Sequence, residues 1–249
     1  MHRDVRIMIV ALLGGAFLPG CGNDGSSPSG ETARSAVSTP TIPEFPADPD
    51  EFVAGIDNPY LGFKPGKVFH YAGQTAEGLE TNVVEVTKKK KTILGIAVTV
   101  IHDQAFLDGE LVEDTFDWFA QDRDGNVWYF GEDSKELEDG QVVSTFGSWE
   151  AGVDGAVPGI IMLAKPKVGL QYQQEFFEGV AEDNAKVLSL SETVVVPFGT
   201  FSGCLKTVEW TPLEPGAREF KFNAPGIGLV LVQSNRGGPS VMELTAIED

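Results

Sequence analysis

The chain has 249 residues, 42% hydrophobic and 22% charged, with 37 Asp and Glu against 18 Lys and Arg and a formal charge of -19. Its 16 Phe, 4 Trp and 4 Tyr supply a core for one domain of moderate size or two small ones, and exclude a chain disordered throughout. The acidic balance excludes nucleic acid as a partner, because a phosphate backbone is held by clustered Lys and Arg.

Residues 1–20 read as a signal peptide. Arg3 and Arg6 precede an apolar run, Ile7 to Leu18, too short to span a hydrocarbon core roughly 30 Å thick. The run ends in Leu18-Pro19-Gly20-Cys21, which resembles the lipobox of bacterial lipoproteins. That resemblance implies cleavage before Cys21 and a diacylglycerol on its thiol. Each buried methylene then adds about 0.8 kcal/mol of membrane affinity, so a multi-acylated Cys21 makes the membrane a partner. Residues 21–50 are rich in Ser, Gly, Pro and Thr and read as a flexible tether. The expected location is the extracytoplasmic cell envelope. Gly22 after the cysteine, rather than Asp, points to the outer membrane of a Gram-negative cell by analogy with lipoprotein sorting. With Cys21 acylated, Cys204 has no disulfide partner, and its apolar neighbours make it a core thiol.

Residues 51–249 form the expected globular domain. Short runs rich in Val, Ile, Phe, Tyr and Trp recur between turn formers: 83–86, 96–101, 115–119, 127–130, 173–177, 187–190, 193–196, 204–210, 220–222, 229–232 and 241–244. Asp108-Gly109, Asp124-Gly125-Asn126 and Asp139-Gly140 predict antiparallel hairpins, since Asp-Gly suits the positive dihedrals of a type I′ turn. Gly152 to Leu163 carries Gly155, Pro158 and Gly159 and reads as an ordered loop; Lys88 to Lys91 reads as an exposed turn between two strands. The fold class is therefore all-β, mainly antiparallel: one barrel, half-barrel or sandwich of roughly ten to twelve strands.

Several motifs support a resemblance. Asn58-Pro59-Tyr60, Lys64-Pro65-Gly66, Asp117-Trp118-Phe119-Ala120-Gln121-Asp122, Gly125 to Glu132 and Ser148-Trp149-Glu150-Ala151-Gly152 resemble a set of uncharacterised bacterial envelope lipoproteins. The resemblance covers most of the folded part and implies a β-rich secreted domain. It brings no established activity.

Acidic residues gather between Asp103 and Asp154, with 15 Asp or Glu against Arg123 and Lys135. A solvated acidic face is the plainer reading and a cation or amine site the sharper one. Alternation sets Asp114, Phe116 and Trp118 on one strand face and Thr115, Asp117 and Phe119 on the other, so one of the two acids is expected to point inward. The hairpin through Asp124-Gly125 places Asp117 near Glu132. Asp117, Glu132 and Glu150 are the candidate catalytic carboxyls, because acids beside aromatic rings are desolvated and acid pairs serve hydrolases. Trp118, Trp128, Tyr129 and His102 are candidate ligand-binding residues. Asp122, Asp124 and Asn126 place oxygens at alternate positions, as a calcium loop does, although the EF-hand glycine is missing. No other cofactor is evident. No paired-histidine or Cys-His zinc pattern, nucleophile elbow or nucleotide loop occurs, and His70 and His102 read as structural.

These features predict a membrane-anchored lipoprotein with a non-catalytic domain that binds a small or hydrophobic ligand or a protein partner. A carboxylate-dependent envelope hydrolase and a calcium-binding structural or adhesive module are the alternatives.

Overall fold

The computed structural model describes residues 44–235 and 238–249. The expected signal peptide, Cys21 and most of the tether lie outside the described residues. Two long runs of antiparallel strands make up the domain. The first contains β1 (Val68–Gln74), β2 (Leu79–Ile93), β3 (Ile96–Leu107), β4 (Glu110–Gln121) and β5 (Val127–Glu138). The second contains β11 (Asn184–Val196), β12 (Gly199–Trp210), β13 (Glu219–Ala224), β14 (Gly228–Ser234) and β15 (Ser240–Glu248). β1 pairs with both β2 and β15, which joins the runs side by side.

Between them lie five short strands: β6 (Gln141–Ser144), β7 (Trp149–Glu150), β8 (Val157–Met162), β9 (Gln171–Gln173) and β10 (Glu175–Phe176). β6, β7 and β8 take successive stretches of the second edge of β5. β9 pairs with β11 at one end of the sheet, and β10 pairs with β8 at the other. Since β9 and β10 are successive parts of one segment, 171–176, that segment draws the two sheet ends together into a nearly closed, barrel-like wall. Gln174 N–H donates to the Asp183 carbonyl at 2.8 Å and secures the seam.

Local chemistry accounts for most of the turns. Asp108 (φ 50°) and Gly109 (φ 88°) join β3 to β4, and Asp139 (φ 51°) and Gly140 (φ 71°) join β5 to β6. Both are the positive pairs a type I′ hairpin requires. Asp124-Gly125 instead sits in a longer connection, closed by Asp122 N–H on the Asn126 carbonyl at 2.9 Å.

Three expectations are corrected. Lys88 to Lys91 lie inside β2, which continues to Ile93 through a register shift between Val86 and Lys90; the turn is at Leu94-Gly95. A bulge lets the strand carry these side chains without breaking the ladder. The predicted loop 152–163 contains β8, where Pro158 pairs with Glu175 and Gly159 lies against Gln174. The runs 187–190 and 193–196 are one strand, β11, kinked by register shifts rather than turned.

The two faces of the wall divide unusually. Aromatics on the outer face lie under lysine ammonium groups: Lys91 over Trp118 at 3.2 Å, Lys89 over Phe116 at 5.4 Å, and Lys206 over Phe220 and Phe222 at 5.0 and 4.9 Å. Inside, Val84, Ile101, Leu205, Val232 and Leu244 form the apolar core, and polar side chains of β4, β5, β12 and β13 share the interior with them.

A strap covers one end. Phe45, within the stretch read as tether, packs against Phe52, Trp128 and Phe130. Asn58 then donates to the Gly125 and Leu163 carbonyls, and Leu61 and Phe63 enter the core. Among the described residues no helix is long and apolar enough to cross a membrane.

The seam generates a test. A Cβ built on Gly159 overlaps the Gln174 carbonyl and the Glu175 nitrogen, all of them backbone atoms that cannot swing aside. Gly159→Ala is expected to open the seam selectively. Hydrogen exchange should quicken in 157–162 and 171–176 while β2 to β4 stay protected; unchanged protection at the seam would contradict the closure.

Candidate functional site

Asp117 and Glu132 sit directly opposite each other on β4 and β5, both pointing inward and 1% and 2% exposed. Alternation placed Asp117 on the same face as Phe119, and that face is the interior. Phe63, Phe119, Tyr129 and Trp149 form an aromatic column beside the pair, with successive ring centroids 5.4, 4.8 and 5.4 Å apart. The column ends in two polar contacts. Tyr129 Oη donates to Asp117 Oδ1 at 2.7 Å, and Trp149 Nε1 donates to Glu175 Oε2 at 3.1 Å.

Glu175, 1% exposed, is the third carboxyl of the group. Asp117 Oδ2, Glu132 Oε1, Glu175 Oε1 and the neighbouring Gln174 Oε1 are buried without a hydrogen-bond partner. On the facing wall Lys221 pairs with Glu209 at 3.0 Å and with Glu219 at 3.9 Å.

Burial dominates the electrostatics. Desolvation pushes Asp117 up to about 7, opposed by the Tyr129 hydrogen bond. It pushes Glu175 up to about 8, opposed by Trp149. Glu132 is raised well above the carboxylate range by burial and then by Asp117 and Glu175. Asp103, further along the interior, is raised by burial and by Asp117 and Glu113. Burial works against the Lys221 charge, yet Glu209 and Glu219 hold its ammonium above the usual range. Burial therefore favours the protonated forms of these acids, beside a lysine already held by two carboxylates.

Two cavities meet here. A cavity of about 40 Å³ has apolar walls that include Leu61, Phe63, Phe69 and Leu229, and a polar floor of Gln174, Glu209, Lys221 and Asn223. A smaller one, about 10 Å³, lies between Tyr129, Gln174, Glu175 and Lys221. A water needs roughly 10–15 Å³ measured this way, so the first holds a few small groups and the second about one.

Glu150 is held apart from the other two catalytic candidates. It lies on the outer face, where its carboxylate accepts from Lys91 Nζ at 2.6 Å. Trp118 lies on that face too, beneath the same ammonium. His102, also outside, stacks on Phe116 at 4.2 Å and contacts Asp114 through Nε2 at 2.7 Å. Trp128 packs on the outer side of β5 under Phe45, and only Tyr129 of the ligand-binding candidates lines the cavity.

The calcium candidates form a hairpin network. Asp122 Oδ1 accepts the Asn126 N–H at 2.8 Å, and Oδ2 accepts Asn126 Nδ2 at 2.9 Å and Trp128 Nε1 at 2.8 Å. Asn126 Oδ1 accepts the Ala164 N–H at 2.9 Å. Cys204 is buried and free.

Sequence reasoning missed Gln174, Glu175, Glu209 and Lys221. One signal was present: Phe220-Lys221-Phe222 alternates, so either the lysine or both aromatics must face inward. The aromatics invite the wrong choice, because their outward position depends on Lys206 from the neighbouring strand.

No protein-family model matches the chain, and no curated protein sequence matches it. Among solved structures it is similar to a protein from Bacteroides fragilis NCTC 9343, described as exported and of YmcC-like fold. That match is 18% identical, covers 80% of this chain and 100% of the other, and has a TM-score of 0.44. A second, from Parabacteroides distasonis ATCC 8503 and described as a lipoprotein, is 12% identical, covers 76% and 98% of the two chains, and has a TM-score of 0.40.

Two measurements follow. The folded state keeps protons on Asp117 and Glu175 that the unfolded chain releases in the ordinary carboxylate range, so stability falls as pH rises through about 7 and 8. Melting is expected to drop on the order of 5–10 °C between pH 5 and pH 8.5, and Asp117→Asn should flatten much of that slope. Asp122→Ala leaves the Trp128 and Asn126 donors unmatched and should cost about 2–3 kcal/mol, read by urea unfolding.

Proposed function

We propose that the protein is a lipid-anchored envelope lipoprotein whose barrel is a non-catalytic binding domain for a small ligand. The observation that supports binding is the junction of the apolar cavity beneath Leu61 and Phe63 with a polar floor on which the buried Gln174 Oε1 lacks a partner. Pockets of this composition bind through apolar area and use a few polar groups for orientation. Anchoring is supported by the lipobox-like Leu18 to Cys21. An acidic barrel tethered this way is an extracytoplasmic binding module that samples ligands close to a membrane surface.

The hydrolase reading rests on the Asp117 and Glu132 pair, with Asp117 pushed up to about 7. Burial favours binding over it: a glycosidic or ester linkage must reach both carboxyls, and they stand 1% and 2% exposed behind the aromatic column. A calcium ion at Asp122 competes with three hydrogen bonds already made there.

Two experiments test the reading. Metabolic labelling with palmitate is expected to mark the full chain and to fail for Cys21→Ala; equal labelling of both would refute the anchor. Native mass spectrometry of the full chain from cell envelopes in mild detergent is expected to show a bound small molecule beyond the acyl groups. A bare mass, together with turnover of an envelope substrate that Glu132→Gln abolishes, would replace binding with hydrolysis.

A further inference from the structure

The barrel interior is chemically one-sided. Among the described residues, the buried Asp, Glu, Lys and Arg side chains are eight acids, of which Asp122 belongs to the outer hairpin network, and one base, Lys221. Lys221 is already engaged by Glu209 and Glu219. Asp117, Glu132 and Glu175 therefore have no base within ion-pair distance among the described residues, and each keeps one oxygen without a partner. Proton uptake answers part of that deficit. It cannot answer for Gln174, whose amide does not titrate, whose side chain is 2% exposed, and whose buried Oε1 also has no partner. A buried carbonyl oxygen of this kind costs about 1–3 kcal/mol until a donor reaches it.

The nature of the donor is constrained. No group of three or more His, Cys, Asp or Glu among the described residues converges as a metal ion requires. Ca²⁺ and Mg²⁺ hold their oxygens at roughly 2.0–2.6 Å, a tighter arrangement than this one. Of the acceptors, Gln174 and Glu175 line the smaller cavity and Asp117 lies behind its Tyr129 wall, so N–H and O–H donors on a molecule of a few heavy atoms can reach the first two. The two cavities share Ile161, Gln174, Glu209 and Lys221, and their sizes admit only such a molecule.

We propose that these joined cavities are a site for a small organic amine, with its ammonium group between Glu175 and the Gln174 carbonyl and its remaining atoms in the cavity under Leu61 and Phe63. Asp117 and Glu132 supply the surrounding negative charge. The site deepens the binding reading above and rests on it.

Binding is coupled to protons. An ammonium favours the ionised carboxyl, so it expels the protons that burial keeps on Asp117 and Glu175, and affinity rises from pH 5.5 to pH 8. The charged groups facing the site act in the same direction with one exception. Glu113 on β4, Glu132 on β5 and Glu209 on β12 add negative potential, as does Asp183 ahead of β11 near Lys221. Lys221 on β13 opposes it, and its own pairs with Glu209 and Glu219 blunt that opposition.

Ethanolamine is the probe and ethylene glycol its near-isosteric neutral control, both titrated into the full chain in detergent at constant ionic strength. Calorimetry and thermal unfolding are expected to show saturable ethanolamine binding, at least threefold tighter at pH 8 than at pH 5.5, with no response to ethylene glycol. Glu175→Gln should weaken ethanolamine binding at least tenfold while circular dichroism stays that of the parent. If that variant does not fold, Gln174→Leu serves in its place with the same expected loss. Equal responses to the two probes, or none to ethanolamine, would overturn the amine assignment. A bound non-amine molecule in native mass spectra would overturn this assignment alone and leave the binding reading standing; a bare mass with no ethanolamine response would remove both.

Discussion

An antiparallel sheet this wide has two free edges, and exposed edges are templates for aggregation. Here both are met by one segment of six residues, 171–176, which pairs with β11 through its first half and with β8 through its second. The same segment carries Gln174 and Glu175 into the interior. Closure and site are therefore one event: the backbone that completes the wall delivers the carboxyl that completes the acid group. Gly159 allows it, because any side chain there meets the backbone of Gln174.

The interior that results is costly. Burying ionised carboxyls without cations is unfavourable, so burial favours the protonated acids, and Tyr129 and Trp149 each satisfy one oxygen. The remaining oxygens mark where stability was given up. Such sites are commonly functional, since packing alone favours apolar substitutes. The outer face shows the complementary arrangement. Trp118, Phe116, Phe220 and Phe222 stay outside because lysine ammonium groups cover them, which keeps the apolar rings from presenting a sticky surface.

Much of the architecture was legible. Alternation and turn chemistry are local, so Asp108-Gly109 and Asp139-Gly140 announced their hairpins, and the pairing of β4 with β5 placed Asp117 by Glu132. Lys88 to Lys91 and 152–163 misled for one reason. Charge runs and glycines resemble turns, yet a strand whose outer face meets water tolerates the first, and one crowded by a neighbour needs the second. Glu150 was grouped with the inner acids because it follows a tryptophan, but successive residues of a strand point to opposite faces.

The sequence by itself determined an all-β domain, its antiparallel hairpins, its acidity and the lipobox-like signal, because each depends on residues near one another along the chain. Tertiary structure alone decided which face of each strand is inside. That choice rests on contacts between strands far apart in sequence, as when Lys206 shields Phe220 and leaves Lys221 to face Glu209. It also decided that Glu175, more than forty residues from Glu132 in the chain, joins the same acid group, since only closure of the wall brings β10 to β8.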